Sequence, residues 1–319
     1  MTAVPGSAFH AWRFSQAQGA TTATGAVPRS LPASSLSVRE GTVWRTWWRS
    51  ERAPRAWGDE ATLARAVTWR VLAPGLRWGQ AELAGNGEAW RTSLIVVQVD
   101  PRRTRVALDT AFTSGLRRAW TIDRVPASAR IAMNAGQFVA ELPWGWVVLD
   151  GRQYLAPGHG PLASAVAIDS SGAVRWQHGG GLPARGGIQW AFQSYPTLLD
   201  AGRVPLSLQI DDGGIDVAHR DARLAIGTRA DGSLLIAMSR FGALGTTLGF
   251  VPFGLTTPEM AAVMGALGAR ESVMLDGGIS AQLLIRGPGD RVARFAGVRR
   301  VPLGLLIFAD TVGRKSLTH

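Results

Sequence analysis

With 319 residues and 46% hydrophobic content, the chain can bury one large core or two ordinary ones. Its formal charge of +11 comes from 34 basic against 23 acidic residues, and every basic residue except Lys315 is arginine; this suits an anionic ligand and equally reflects a coding preference for arginine. The absence of cysteine removes disulfides, thiolate metal ligands and a cysteine nucleophile, and no apolar run approaches the roughly 18 residues of a membrane helix.

Residues 1 to about 35 are rich in Ala, Thr, Ser, Gly and Pro, a composition that does not offset ordering entropy by burial. This leader lacks the apolar core of a secretory signal, so the chain as written reads as soluble and cytoplasmic. Next comes Val43-Trp44-Arg45-Thr46-Trp47-Trp48-Arg49, an aromatic and basic cluster. Such a cluster stacks on bases, lies at a membrane surface or packs a terminal segment onto a domain, and the last is the expectation here. Residues 1–70 therefore read as a partly disordered appendage and 71–319 as one domain.

From Val71 onward the pattern is of strands. Trp78 to Leu83, Ser93 to Asp100, Val106 to Leu108, Arg130 to Met133, Gly145 to Leu149, Ala165 to Ile168 and Leu234 to Met238 are short apolar or β-branched runs. Asp150-Gly151, Ser171-Gly172 and Asp231-Gly232 supply turns between them. One helix is marked: Thr257 caps it, Pro258 suits its first turn, Met260, Val263, Met264 and Leu267 form a stripe, and Gly268 ends it. The expected fold class is α+β, a strand-rich mixed sheet with a few packed helices.

Several motifs are weaker than they look. Gly158-His159-Gly160-Pro161-Leu162-Ala163 mimics a dinucleotide fingerprint, but Pro161 and the strand-like sequence after it deny the required helix. Gly179 to Gly181 and Gly186-Gly187, with Arg185 between, suit an anion cradle or a lid. Asp211, Asp212 and Asp216 around Gly213-Gly214 have no EF-hand spacing and read as a solvated turn. No nucleophile elbow, Walker loop or zincin helix occurs. No cofactor is expected, and metal dependence stays open.

The richest stretch is Val273-Met274-Leu275-Asp276-Gly277-Gly278-Ile279-Ser280, in which one carboxylate sits between an apolar run and two glycines. Alone, Asp-Gly is a common hairpin turn. Three other segments accompany it: Met133-Asn134-Ala135-Gly136-Gln137-Phe138, Gln193-Ser194-Tyr195-Pro196 and Arg223-Leu224-Ala225-Ile226-Gly227. In this order, over about residues 74 to 309, they resemble the phosphodiester glycosidase family, with its N-G/A-G-x-F, Q-S-x-P, R-x-A-I-G and L-D-G-G-x-S elements.

The resemblance implies hydrolysis of a sugar 1-phosphodiester at the glycosidic bond. Such a reaction develops positive charge at the anomeric carbon and releases a phosphate. On that basis Asp276 is the key carboxylate, with Gly277 and Gly278 allowing close substrate approach; Arg223 is the phosphate ligand. Asn134, Gly136, Gln193, Ser194, His219 and Ser280 would bind the sugar or line its cleft, although turn, surface or packing roles suit each of them. Glu259 is a second acidic candidate that also satisfies a helix N-terminus. Ala135, Gln137 and Leu224 depart from the family pattern and motivate the alternative, a non-catalytic saccharide-binding or exopolysaccharide-assembly protein. The expected partner is a sugar-phosphate or polysaccharide, not nucleic acid. Oligomeric state is open, and so is localisation, since relatives are often exported.

Overall fold

A computed structural model describes residues 29–59, 61–112, 119–183, 186–211, 217–242, 253–289 and 291–309. Antiparallel strands dominate it. A nine-stranded sheet runs, from edge to edge, through Thr197–Leu199, Ala269–Met274, Arg223–Arg229, Leu234–Phe241, Thr92–Val99, Leu76–Gly85, Ser35–Glu40 and Val43–Arg49, with Thr68–Ala73 also paired to Leu76–Gly85. A five-stranded sheet orders Val292–Phe295, Leu283–Arg286, Ala129–Asn134, Leu303–Ala309 and Thr104–Thr110. A second five-stranded sheet orders Arg152–Leu155, Val147–Leu149, Ile188–Ser194, Ser164–Asp169 and Val174–His178.

These three larger sheets contribute to one core. Along Thr92–Val99, Ile95, Val97 and Val99 enter it beside Ile131 and Met133 of one small sheet and Val166 and Phe192 of the other. Leu94 and Val96 point the other way, into a second core made with the helix and the N-terminal strands. Both faces of this strand are covered, so Leu94 to Val97 reads as a continuous apolar run rather than an alternation.

The expected strands are present, and the α+β expectation needs correcting. The fold is mostly β, and among the described residues its α-helical content is the single ten-residue helix Thr257–Ala266. Turn residues recur about every ten positions, which leaves few segments long enough for a helix of three turns. The helix begins one residue earlier than expected: Thr256 is the N-cap, its hydroxyl accepting from Glu259 N while the Glu259 carboxylate accepts from Thr256 N. It is also buried nearly all round, Ala261, Ala262 and Ala266 joining Met260, Val263 and Met264. No helix among the described residues is long and apolar enough to cross a membrane.

Of the residues expected to form an appendage, 1–28 lie outside the described residues. Ser35–Glu40 and Val43–Arg49 form the end of the nine-stranded sheet, with Val38 in register with Leu83. Trp48 is buried and Trp47 packs on the second core, whereas Trp44 is exposed. Residues 158–163 form a loop. The backbone of Asp211 lies opposite that of Arg29 in a short two-stranded antiparallel ladder; Asp212, Gly213, Gly214, Asp216 and Arg185 lie outside the described residues.

Candidate active site

The strand Ala269–Met274 hands the chain directly to the acidic turn. Leu275 N still donates to Leu224 O at 2.8 Å, as a ladder partner would, but Asp276 N donates instead to Gly136 O at 3.0 Å. At Asp276 the chain thus leaves the large sheet and crosses to the segment that follows Ala129–Asn134. Gly278 N then returns to Ala222 O at 2.8 Å. This path demands glycine. A Cβ on Gly277 would lie 2.5 Å from Ala222 O, and one on Gly278, at φ +56°, would lie 2.5 Å from Asp221 Oδ2.

Four sequence segments converge here through their own hydrogen bonds. Asn134 Nδ2 donates to Asp276 O at 2.8 Å, and its Oδ1 accepts from Gln282 N at 3.0 Å. Ser194 Oγ donates to Met274 O at 2.5 Å, and Met274 N donates to Pro196 O at 3.0 Å, next to a cis Tyr195-Pro196 bond. Gln137 Nε2 donates to Tyr195 O at 3.1 Å. Gln193 Oε1 accepts from Trp146 N and Gly158 N, each at 2.7 Å. Asn134, Gln193 and Ser194 are at most 1% exposed; Asn134 and Ser194 brace the Asp276 turn and the strand leading to it, and Gln193 braces the backbone at Trp146 and Gly158. The side-chain hydrogen bonds of these three run to backbone groups, as buried amides and hydroxyls require. Gly136, at φ +67°, supplies the backbone carbonyl that anchors the turn.

Asp276 is the chemically distinctive group. Its Oδ2 is sealed from solvent and has no hydrogen-bond partner among the described residues. Burial raises its pKa to about 6, against the lowering effects of a hydrogen bond from Ser280, the charge of Arg299 and the Gly277 backbone. Asp221 acts in the same direction as burial, because two carboxylates at one site disfavour each other's ionisation. Burial raises the pKa of Asp221 too, opposed by Arg223, the Ala222 N–H and His219. Ser280 is itself 2% exposed, which makes it an orienter of Asp276.

Cationic and aromatic groups surround this pair. Arg223 Nε donates to Leu255 O at 2.9 Å and its Nη2 to His219 O, which fixes the guanidinium beside Asp221. His219 is half exposed, with Nε2 3.8 Å from Asp221 Oδ2. Arg299 lies over the Phe138 ring at 4.6 Å. Tyr195 meets the Trp144 ring edge-on at 4.7 Å, and its hydroxyl pKa is raised by burial and by the Asp276 charge.

Glu259 stands apart from this group. It is fully buried, with its carboxylate bound to Arg220 at 2.7 and 2.9 Å, to the Ser34 hydroxyl and to Thr256 N. Those bonds occupy both oxygens, so the second acidic candidate is a structural ion pair and cap. Sequence reasoning passed over Asp221, although it stands two residues before Arg223 at the entry to the same strand. It also passed over Arg299, which carries no local sequence signal. Among the described residues no group of three His, Asp or Glu donors around Asp276 is close enough to share a metal ion.

Residues 127–308 match the family model described as phosphodiester glycosidase. No curated protein matches the chain. Among solved structures, the fold is similar to the catalytic domain of zebrafish N-acetylglucosamine-1-phosphodiester alpha-N-acetylglucosaminidase, auto-inhibited by its pro-peptide. The TM-score there is 0.57 and the identity 15%, over 77% of this chain and 90% of that one. A hypothetical protein from Synechocystis aligns with a TM-score of 0.49 and 17% identity over 86% and 67% of the two chains. A putative exported protein from Burkholderia pseudomallei K96243 aligns with 0.44 and 16% over 68% and 74%. At these identities the likeness is one of fold.

Proposed function

The chain belongs to the phosphodiester glycosidase family, and on that premise we propose that it hydrolyses the glycosidic bond of a sugar 1-phosphodiester at the Asp276 turn. The observation that carries this reading is the Asp276 carboxylate: one oxygen buried and without a hydrogen-bond partner among the described residues, a pKa near 6, and a second carboxylate beside it. With a pKa of about 6 the group is mostly ionised at neutral pH, so it stabilises or attacks the anomeric carbon as positive charge develops there. Its poor solvation as an anion makes that charge worth more in the transition state than in the resting protein.

Asp221 is the partner carboxylate, placed to move a proton to or from water in the hydrolytic step. A phosphate monoester is a good leaving group, so the demand on a general acid is small. Arg223 supplies the charge for the departing phosphate, its guanidinium oriented by Leu255 O and His219 O. Trp144 and Tyr195 give an aromatic wall of the kind on which sugar rings pack. The binding-only reading loses its starting observation. Ala135 and Leu224 are buried in the main core, and Gln137 holds the Tyr195 carbonyl, so these departures replace packing and bracing groups.

The test is hydrolysis of a panel of sugar 1-phosphodiesters and ordinary glycosides, read by mass spectrometry. Wild type is expected to turn over phosphodiesters preferentially, and Asp276→Asn to lose about 10²–10⁴-fold in kcat. Arg223→Ala is expected to lose activity on phosphodiesters far more than on glycosides. A folded Asp276→Asn protein with full turnover would sink the assignment.

A further inference from the structure

A second cluster of reactive side chains lies at the other end of the strand that leads to Asp276. Glu271 precedes Asp276 by five residues, about 16 Å of extended chain. Here His178, Asp200 and Glu271 each bring a donor atom within 4.8 Å of the others. They border an open groove of about 810 Å³ that Trp176, Thr197, Arg203 and Arg270 also line. Nothing in the proposed glycosidase reaction uses them.

The hydrogen bonds behind His178 determine which ring nitrogen faces the groove. Leu162 O only accepts, and the buried Thr197 hydroxyl donates its one proton to it at 2.9 Å. Thr197 Oγ1 must therefore accept from the buried Ser164 hydroxyl, 2.7 Å away. With its proton spent, Ser164 Oγ accepts from His178 Nδ1–H at 2.7 Å. The relay leaves Nε2 as the ring nitrogen presented to Glu271 Oε2, at 2.8 Å. A lone pair facing a carboxylate at that distance needs a cation between them, either a proton or a metal ion. A histidine that donates Nδ1–H to a fixed acceptor while Nε2 faces carboxylates has the arrangement that orients a metal ligand.

The backbone that carries Asp200 and the Glu271 carboxylate are also held in place. Asp200 and Arg203 exchange backbone hydrogen bonds at 2.9 and 2.8 Å across a tight turn whose central residues, Ala201 and Gly202, have φ of +48° and +80°. Gly202 N donates to Arg270 O at 2.6 Å and Ala201 N to the Glu271 carboxylate at 3.1 Å, so the turn is pinned against the strand that carries Glu271. Trp176 stacks on the imidazole at 5.9 Å and 24°. The Arg270 charge is directed away, to Trp57 O at 2.7 Å and towards Asp59 at 3.8 Å.

We propose that His178, Asp200 and Glu271 form a binding site for a divalent transition-metal ion, with its open coordination positions facing the groove. The 2.8 Å separation of His178 Nε2 and Glu271 Oε2 approaches the roughly 3.0 Å edge of an octahedron built on bonds of about 2.1 Å. One imidazole with two carboxylates favours zinc or manganese over calcium or magnesium, which prefer all-oxygen sets. Three protein donors leave room for water or an anionic ligand in the groove.

The experiment is calorimetric titration of the chelator-stripped full chain with zinc chloride, repeated with manganese and calcium, and visible spectroscopy with cobalt. One saturable zinc site per chain is expected, with calcium at least 10-fold weaker. Asp200→Asn, at an exposed position that spares the fold, should weaken zinc at least 10-fold. Ser164→Ala, which touches no metal, should weaken it about 10–100-fold through loss of the Nδ1–H acceptor. Cobalt should give d–d bands that Asp200→Asn changes. Absence of saturable uptake by the wild type, or wild-type affinity retained in both variants, would overturn the proposal and leave His178 and Glu271 as an ion pair.

Discussion

Replacing Asp276 by Asn should stabilise the protein at alkaline pH while removing its activity. The carboxyl has a pKa of about 6 when folded and about 3.9 in an unfolded chain. Between these values the native state holds a proton that the unfolded state has released, so wild-type stability falls as pH rises from about 4 to about 6 and then levels off. The shift of about two units corresponds to about 3 kcal/mol at pH 8. Asparagine has no charge to bury, and it gives back about 1 kcal/mol through its weaker bond to Ser280. The variant should therefore be about 2 kcal/mol more stable at pH 8, or about 4–8 °C in Tm for a domain of this size. Near pH 4 the advantage should vanish or reverse. Urea unfolding of both proteins across pH 4 to 8 measures this difference, from which the titration of other groups largely cancels. A stability difference that is flat over that range would refute the burial of Asp276 as the origin of its shift.

Two further perturbations follow from the same geometry. Ser280→Ala removes the hydrogen bond that lowers the Asp276 pKa, so the acid limb of the kcat/KM pH profile should move upward; a limb that stays put would show that the hydroxyl acts elsewhere. Glu259→Gln removes the buried partner of Arg220, which keeps only the half-exposed Glu88 at 3.5 Å, and should cost about 1–3 kcal/mol in denaturant unfolding; a variant as stable as wild type would return Glu259 to the list of catalytic candidates.

Much of the fold was legible because strands separated by Asp-Gly and Ser-Gly turns announce themselves locally. The helix was legible for a similar reason, since Pro258 and the apolar run fix its start to within a residue. Its burial on nearly all sides was not, because that depends on what covers it: the N-terminal strands and Trp57, whose ring packs against Gly265. The aromatic and basic stretch Val43–Arg49 shows the same limit. Its composition suggests a packed segment, but only the pairing of Val38 with Leu83 makes Ser35–Glu40 and its hairpin partner part of the sheet.

The sequence by itself determined that Asp276, between an apolar run and two glycines, is an acid on a sharp turn, and that four motif segments accompany it in a fixed order. It could not say what each polar residue in those segments does, because asparagine, glutamine and serine serve equally as ligands or braces. Tertiary structure decided that: Asn134, Gln193 and Ser194 are buried and their hydrogen bonds run to the backbone, whereas Asp276 keeps one oxygen unpartnered among the described residues. It also set Asp221 beside Asp276 and joined residues whose spacing carries no signal, bringing Arg299 to Asp276 and His178 and Asp200 to Glu271. The physical reason is that long-range antiparallel pairing, not local periodicity, sets which side chains share a solvent-poor space, and that sharing is what shifts a pKa or assembles a set of ligands.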